Sequence, residues 1–342
     1  MTGGIAPRTS DRSLSPADVL LLYSVHPEWQ RDEQDRVARE NRRLGFAIRR
    51  RGHRVRMLEI QGDHVADTLA PFDPAEAVVF NVCEFVPGLD HSEARVVDVL
   101  EGLGFAYTGA TAEAIRLSYD KSRVRALLAE HGVPVPQWAQ FNAPGEVPWS
   151  IFPAIVKPAW EHCSIGVDRW SVVLNEDELA QRVAHVIATY DQPALVEDFI
   201  DGREFHVPLW GNETVEMLPP VEMDFSALGD VRDRLCSFES KFSPDSTAYR
   251  QIRSRVPARL TPAEWDTLEV TCRLAYHLVG CRDYGRIDVR QRGDQMYILD
   301  VNPNADLSAD ASVALAAKRA GFCYGALGSR LVELAQNRAP HQ

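Results

Sequence analysis

Arg286-Ile287-Asp288-Val289 and Tyr297-Ile298-Leu299-Asp300-Val301-Asn302 flank the segment Gln291-Arg292-Gly293-Asp294. Apolar and polar residues alternate on both sides of a glycine-containing turn, which predicts an antiparallel hairpin. Such a hairpin sets Asp288, Asp300 and Asn302 close together. Two carboxylates and an amide are the hard oxygen donors that Mg²⁺ requires. Arg286 precedes Asp288 by two residues and so shares that strand's inward face. A fixed cation beside three oxygen donors suits a polyphosphate and its metal, and predicts that the chain uses ATP.

Upstream, Val19-Leu20-Leu21-Leu22-Tyr23 reads as a buried strand, and Val55 to Ile60 and Ala77 to Val82 as two more. Helices are predicted over Asp32 to Arg51 and Ser92 to Leu103, stopped by Gly52 and Gly104. Strand–helix alternation of this kind predicts a parallel α/β domain over 16–115. Asp120 to His131 is a helix capped by Asp120 and stopped by Gly132, followed by the rigid connector Val133-Pro134-Val135-Pro136. A strand at Ala154 to Pro158, a helix at Asp177 to Tyr190 and a strand at Ala194 to Ile200 make a small α+β unit, 116–204. Alternating segments from Glu204 to Glu222 open a third unit, 205–342. In it Thr261-Pro262-Ala263-Glu264 is a capping box whose helix ends at Gly280, and helices follow the hairpin near 309–320 and 324–337. Residues 1–15 are expected to be a disordered tail.

The bulk numbers exclude several classes. With 342 residues and 45% hydrophobic content the chain is expected to be an ordinary soluble globular protein. A net charge of -12 argues against nucleic-acid partners, which need a basic face. The arginine-rich run Arg36 to Arg56 alternates with Val37, Leu44 and Ile48 and reads as a solvated helix face. None of the six cysteines forms a Cys-x-x-Cys pair, and most are expected to be small buried residues. No apolar run approaches about 18 residues and the N-terminus lacks a signal-peptide core, so a cytoplasmic protein with no membrane partner is expected.

Lys157 ends the apolar strand Ile155-Val156-Lys157-Pro158. A lysine there is costly without an anionic partner, and a phosphate would supply one. The small residues of Glu161-His162-Cys163-Ser164-Ile165-Gly166 suit a flap whose amides close over phosphates. The plainer reading is a surface lysine before an ordinary turn. Leu195 to Ile200, followed by Glu204, offers backbone groups for an adenine and a carboxylate for a ribose; taken alone, it reads rather as an edge strand with solvated acids. Lys121 and Lys241 are further cations for phosphate. His26, His91 and His162 are scattered without ligand spacing and are expected to be surface or hydrogen-bonded structural residues.

Taken in order, Tyr107-Thr108-Gly109, Asp120-Lys121, Ile155 to Gly166, Val196-Glu197 through Arg203-Glu204-Phe205, Glu239-Ser240-Lys241-Phe242, and Gly285 to Val289 with Leu299 to Asn302 resemble the ATP-grasp superfamily, and within it the D-alanine–D-alanine ligase branch. The resemblance implies an ATP-grasp fold: a parallel α/β N-terminal domain plus two α+β lobes that sandwich ATP. It implies that Lys121, Lys157 and Lys241 contact phosphates. It makes Glu197, Asp198 and the backbone to Ile200 the adenine strand, and Glu204 the ribose contact. Asp288, Asp300 and Asn302 would hold two Mg²⁺ ions, replaceable by Mn²⁺. Arg286 would stabilise an acyl phosphate and the later tetrahedral intermediate, Ser164 would act from the flap, and Glu28 stands near the family's amine-binding glutamate. A homodimer is implied as well. The activity implied is ligation of a carboxylate to an amine, with amino acids as the expected substrates in a specialised pathway. The alternatives are an ATP-grasp ligase for non-amino-acid substrates and a nucleotide-binding regulatory protein without catalysis.

The pattern departs from the family at four places. Tyr23-Ser24-Val25-His26 replaces a Gly-Gly element. Cys163 stands for the first of two flap serines, and Phe242 for a tyrosine. Pro303 to Ala311 replaces the loop whose glycine and serine hold a substrate carboxylate. That segment carries Asp306 and Asp310, which would repel an acceptor's carboxylate and attract an ammonium or guanidinium. Either the acceptor is not D-alanine but an amine-bearing or differently shaped molecule, or both residues cap the helix that starts near Ser312.

Overall fold

The run Val19 to Tyr23 is completely enclosed in strand β1 (Asp18–Ser24), whose neighbours on both sides are parallel. The structure is a computed structural model and describes residues 16–237 and 250–338. The expected tail, 1–15, and the segment containing Glu239, Ser240, Lys241 and Phe242 lie outside the described residues. Strands β2 (Arg54–Ile60), β3 (Ala77–Asn81) and β4 (Ala106–Tyr107) complete a sheet of order β2-β1-β3-β4. Helices α1 (Arg31–Arg49), α2 (Val65–Leu69) and α3 (Glu93–Leu103) connect them. The arginines of α1 are solvated as expected, with Arg36 and Arg43 in exposed i,i+3 pairs to Glu33 and Glu40.

Asp120 ends one helix and starts the next, so the break at this residue conceals α4 (Ala112–Tyr119) from a reading that finds only α5 (Lys121–Glu130). Its carboxylate accepts from Arg123 N–H at 3.0 Å, the expected cap. The second unit is an antiparallel sheet of order β5-β8-β6-β7, built from β5 (Trp138–Phe141), β6 (Ala154–Pro158), β7 (Val172–Val173) and β8 (Ala194–Asp198). Helix α6 (Glu176–Tyr190) covers it through Leu179, Val183 and Val186.

The third sheet runs β12-β11-β9-β13-β14, with β10 also on β9. Its strands are β9 (Arg203–Gly211), β10 (Val215–Met217), β11 (Val221–Asp224), β12 (Arg253–Arg255), β13 (Tyr284–Arg292) and β14 (Gln295–Asn302). Helix α7 (Pro262–Val279) opens on the predicted box: Thr261 N–H donates to Glu264 Oε2 at 2.7 Å and Glu264 N–H to Thr261 Oγ1 at 3.2 Å. It closes on Gly280 with φ +81°, a left-handed turn that glycine enters without steric cost.

Helices α8 (Ser312–Arg319) and α9 (Tyr324–Gln336) return to the first domain. Val313, Leu327 and Leu331 share one core with Val19, Leu21, Leu44 and Ile48. The approach of α9 to α1 is so close that a Cβ on Gly325 would collide with Ala47 O, and one on Gly328 would meet Ile48 Cγ1 at 2.5 Å. The capping role weighed for Asp306 and Asp310 is not realised: Ala311 occupies the N-cap of α8 and no side chain caps it. Asp306 instead accepts from Ser308 N–H and Oγ–H at 2.7 and 2.6 Å. Of the cysteines, Cys83, Cys272 and Cys281 are buried, while Cys163 and Cys323 are exposed and Cys236 is half-buried. Among the described residues no helix is long and apolar enough to cross a membrane.

Candidate active site

The hairpin register pairs Arg286 with Asn302 and Asp288 with Asp300, so all four side chains share one face. Arg286 grips Asp288 with a fork, Nε to Oδ1 at 2.7 Å and Nη2 to Oδ2 at 2.9 Å. Asn302 Nδ2 donates to Asp288 Oδ2 and to the Arg286 carbonyl, each at 3.2 Å. Both amide N–H groups are therefore spent, which assigns Oδ1 as the atom left for a ligand.

The second unit brings its cations to this face. Lys121, the first residue of α5, donates its N–H to Ala159 O at 3.3 Å, tying the helix start to the end of β6. Its Nζ stands 3.5 Å from Asp300 Oδ2. Lys157, on β6, pairs through Nζ with Glu197 Oε2 at 2.9 Å. The anionic partner that burial of this lysine demands is thus within the protein. Arg125, one helical turn after Lys121, donates from Nε to Glu197 Oε1 at 2.9 Å and from Nη2 to Leu299 O on β14. Sequence reading missed Arg125, although its i+4 spacing from Lys121 marks the same helix face.

The cations hold the two carboxylates ionised. Burial alone would raise the Glu197 carboxyl, but Arg125 and Lys157 outweigh it and hold it below the usual range. Asp300 lies in the same balance: burial pushes up, and Lys121, His162, Lys157 and Arg125 together pull it well below normal. Lys121 Nζ and Arg125 Nη1 are nonetheless buried without a hydrogen-bond partner among the described residues. Orphaned cationic donors next to two carboxylates and an amide oxygen fit an anionic polyphosphate with its divalent metal.

At the end of β8, Asp198 is forked by Arg292 at 2.7 and 2.9 Å, and the Ile200 carbonyl accepts from Arg290 Nη1 at 2.9 Å. Glu204 is buried, with Oε2 2.7 Å from Arg290 Nε and Oε1 3.4 Å from His206 Nε2. Glu204, His206 and Cys236 have potential ligand atoms within 4.8 Å of one another. A guanidinium already neutralises that carboxylate, so the group reads as an ion-paired cluster.

The flap between β6 and β7 is pinned from both lobes. Trp160 N–H donates to Gln192 Oε1 and Gln192 Nε2 to Glu161 Oε1, both at 2.8 Å, and Ser164 Oγ donates to Cys236 O at 2.9 Å. Cys163 is exposed, with φ +54°. Glu28 is exposed on the loop after β1, and among the described residues no hydrogen bond or ion pair joins its carboxylate to the hairpin. Asp306 and Asp310 are both exposed; Asp306 acts electrostatically on Arg286, Glu84 and Tyr324, and Asp310 on Tyr324.

Two acids absent from the sequence reading, Glu93 and Glu84, act on one another electrostatically. Glu93 accepts from Asn304 Nδ2 at 2.7 Å and from Tyr119 Oη at 3.2 Å. Burial pushes its carboxyl up to about 8, helped by Glu84 against the Asn304 and Tyr119 bonds. Glu84 is raised in the same direction, by the surrounding protein first and then by Asp306, but its side chain is exposed and water screens the effect. At Glu93 the native state thus keeps a proton that the unfolded chain, with a carboxyl near 4.5, has released. Stability from this group is fully present below that value and is lost as pH rises toward 8. Glu93→Gln should flatten the decline between pH 5 and 8 and be the more stable form at the upper end. Urea unfolding at both pH values checks this, and an unchanged slope contradicts it.

The family model described as "D-ala D-ala ligase C-terminus" matches residues 127–333. A Sinorhizobium fredii protein carrying the name "Uncharacterized protein y4sG" is 32% identical over 301 residues, covering 85% of this chain and 86% of the relative. The D-alanine–D-alanine ligase of Alcanivorax borkumensis is 32% identical over 266 residues, 78% of each chain. That of Desulforudis audaxviator is 28% identical over 312 residues, 90% of this chain and 95% of the relative. The Bacillus anthracis D-alanine–D-alanine ligase, solved as a complex with ATP, superposes with a TM-score of 0.70 at 15% identity, covering 94% of this chain and 97% of that one, a likeness of fold. The family match spans Lys157, the segment between β6 and β7 and the hairpin whose geometry is described above, and by it the chain belongs to the D-alanine–D-alanine ligase family, ATP-dependent ligases that form carbon–nitrogen bonds.

Proposed function

We propose that this chain activates a carboxylate with ATP and two Mg²⁺ ions and joins it to a cationic, amine-bearing acceptor. The observation that carries the reading is the meeting of Lys121 and Asp300 at 3.5 Å, where the phosphate-side cations reach the metal-side carboxylates. A carboxylate is a poor electrophile towards an amine, and an acyl phosphate gives it a good leaving group. Lys121 and Lys157 are suited to hold the phosphoryl oxygens, and Arg286 to offset charge that develops at the acyl carbon. Asp288, Asp300 and Asn302 are suited to hold the metal; when bound, it neutralises charge on the polyphosphate. Glu197 positions Lys157.

The acceptor side is acidic. Asp306 acts electrostatically on Tyr284 and Arg286, and its carboxylate favours an ammonium or guanidinium over the carboxylate of a D-alanine acceptor. The reading extends to Mn²⁺ in place of Mg²⁺ and to a cytoplasmic homodimer, which the family likeness supports. ADP release across paired amino acids and amines, with mass spectrometry of the products, tests it. Turnover should be highest with acceptors that carry an extra cationic group. Clear preference for D-alanine at both positions contradicts the acceptor assignment, and no ADP release with any pair contradicts ligation.

A further inference from the structure

We propose that His162 is a further catalytic residue of the ligation, its ring Nε2 donating a hydrogen bond to the phosphoryl group as that group passes to the carboxylate. The inference rests on the function proposed above. His162 lies in the middle of the flap, and its position is fixed by the backbone around it. Its carbonyl accepts from Ile165 N–H at 3.0 Å, and Cys163 and Ser164 follow with φ +54° and +62°, conformations that non-glycine residues adopt only when their surroundings hold them. The ring meets Tyr119 edge-on, with centroids 4.0 Å apart at 78°, and Tyr119 lies two residues before Lys121.

Nε2 is buried and has no hydrogen-bond partner among the described residues. Buried polar atoms are almost always paired, so an orphan in a cleft marks the place of a missing partner. Its chemistry follows from the neighbours. The groups acting electrostatically on the ring are Lys121, Asp300, His91 and Arg286, and Lys121, Asp300 and Arg286 belong to the proposed phosphate and metal site. Burial, with Lys121 next, pulls the imidazole down to about 3, so it is neutral at pH 7. A neutral ring offers one N–H without adding a charge to desolvate, which suits an oxyanion already surrounded by lysines and an arginine. In the step it serves, a carboxylate oxygen forms a bond to the γ-phosphorus and the bond to the bridging oxygen breaks, leaving its electron pair on ADP. The proton stays on His162.

The test is calorimetric binding to the full chain of Mg²⁺–ADP with aluminium fluoride, a mimic of the transferring phosphoryl group, against Mg²⁺–ADP alone. His162→Ala should weaken the fluoride complex by about 10- to 100-fold, the loss of one hydrogen bond to a charged group. Its ADP affinity should stay within about threefold of wild type, which also reports that the variant is folded. His162→Gln, which keeps an N–H donor, should recover most of the loss. If both variants bind the fluoride complex like wild type, the role of His162 is overturned while the ligase reading stands. If wild type binds neither ADP complex, both fall.

Discussion

Asp288→Ala is expected to lower kcat by about three orders of magnitude. A metal held at a phosphoryl centre contributes several kcal/mol of charge stabilisation, and each 1.36 kcal/mol is about tenfold in rate. Asp288 has a second task, because its two oxygens receive the Arg286 fork and the Asn302 amide. Removing the carboxylate frees the arginine that should face the acyl carbon, so the two losses fall together. Asp288→Asn separates them. It keeps the volume of the side chain and one acceptor oxygen for Arg286, yet lacks the charge that holds a divalent ion. A coupled assay of ADP release, run at saturating ATP and metal, reads both variants. Turnover within tenfold of wild type in either one would remove Asp288 from the metal site.

Glu197→Gln is expected to cost about 3–5 kcal/mol of folding stability, the usual penalty for leaving a buried charge without its partner. Here one carboxylate serves two cations: Arg125, with no solvent exposure at all, and Lys157 at 2.9 Å. The amide has the same shape and neutralises neither. Arg125 would keep only its bond to Leu299 O, and Lys157 would lose the anchor that sets its direction. Urea unfolding at neutral pH measures the loss. Glu197→Leu combined with Arg125→Met should recover much of it, since an apolar replacement of the pair leaves fewer unpaired charges. A loss below about 1 kcal/mol in the single variant would mean that the cations find other partners, and that the β8 carboxylate is not the hub of this lobe.

The hairpin was legible because its period-two pattern, tight turn and polar residues agree, and register follows from strand geometry. Helix α7 was legible because its cap and stop are local signals, visible in four residues at one end and one at the other. Asp120 was legible as a cap and misleading for the same reason: serving two helices at once, it hid α4. Lys157 could be recognised as needing an anion, yet the sequence does not say that Glu197, two strands of one sheet away in the chain and adjacent in space, supplies it. Glu93 and Asn304 are 211 positions apart, and only tertiary packing joins them. His162 could not be separated from an ordinary surface histidine, because its distinguishing property is the enclosure of one ring nitrogen. The helix packing of α9 on α1 left a trace in Gly325 and Gly328, three residues apart on one face, but the partner they admit is visible only in the fold.

The account depends most on metal and nucleotide meeting at the hairpin. Titration of the chain with Mn²⁺, in the presence of a non-hydrolysable ATP analogue and followed by electron paramagnetic resonance, tests this directly. Wild type should take up two ions per chain, as the proposal requires, and a variant carrying Asp288→Ala with Asp300→Ala should lose that uptake. Equal uptake by the two proteins would contradict it.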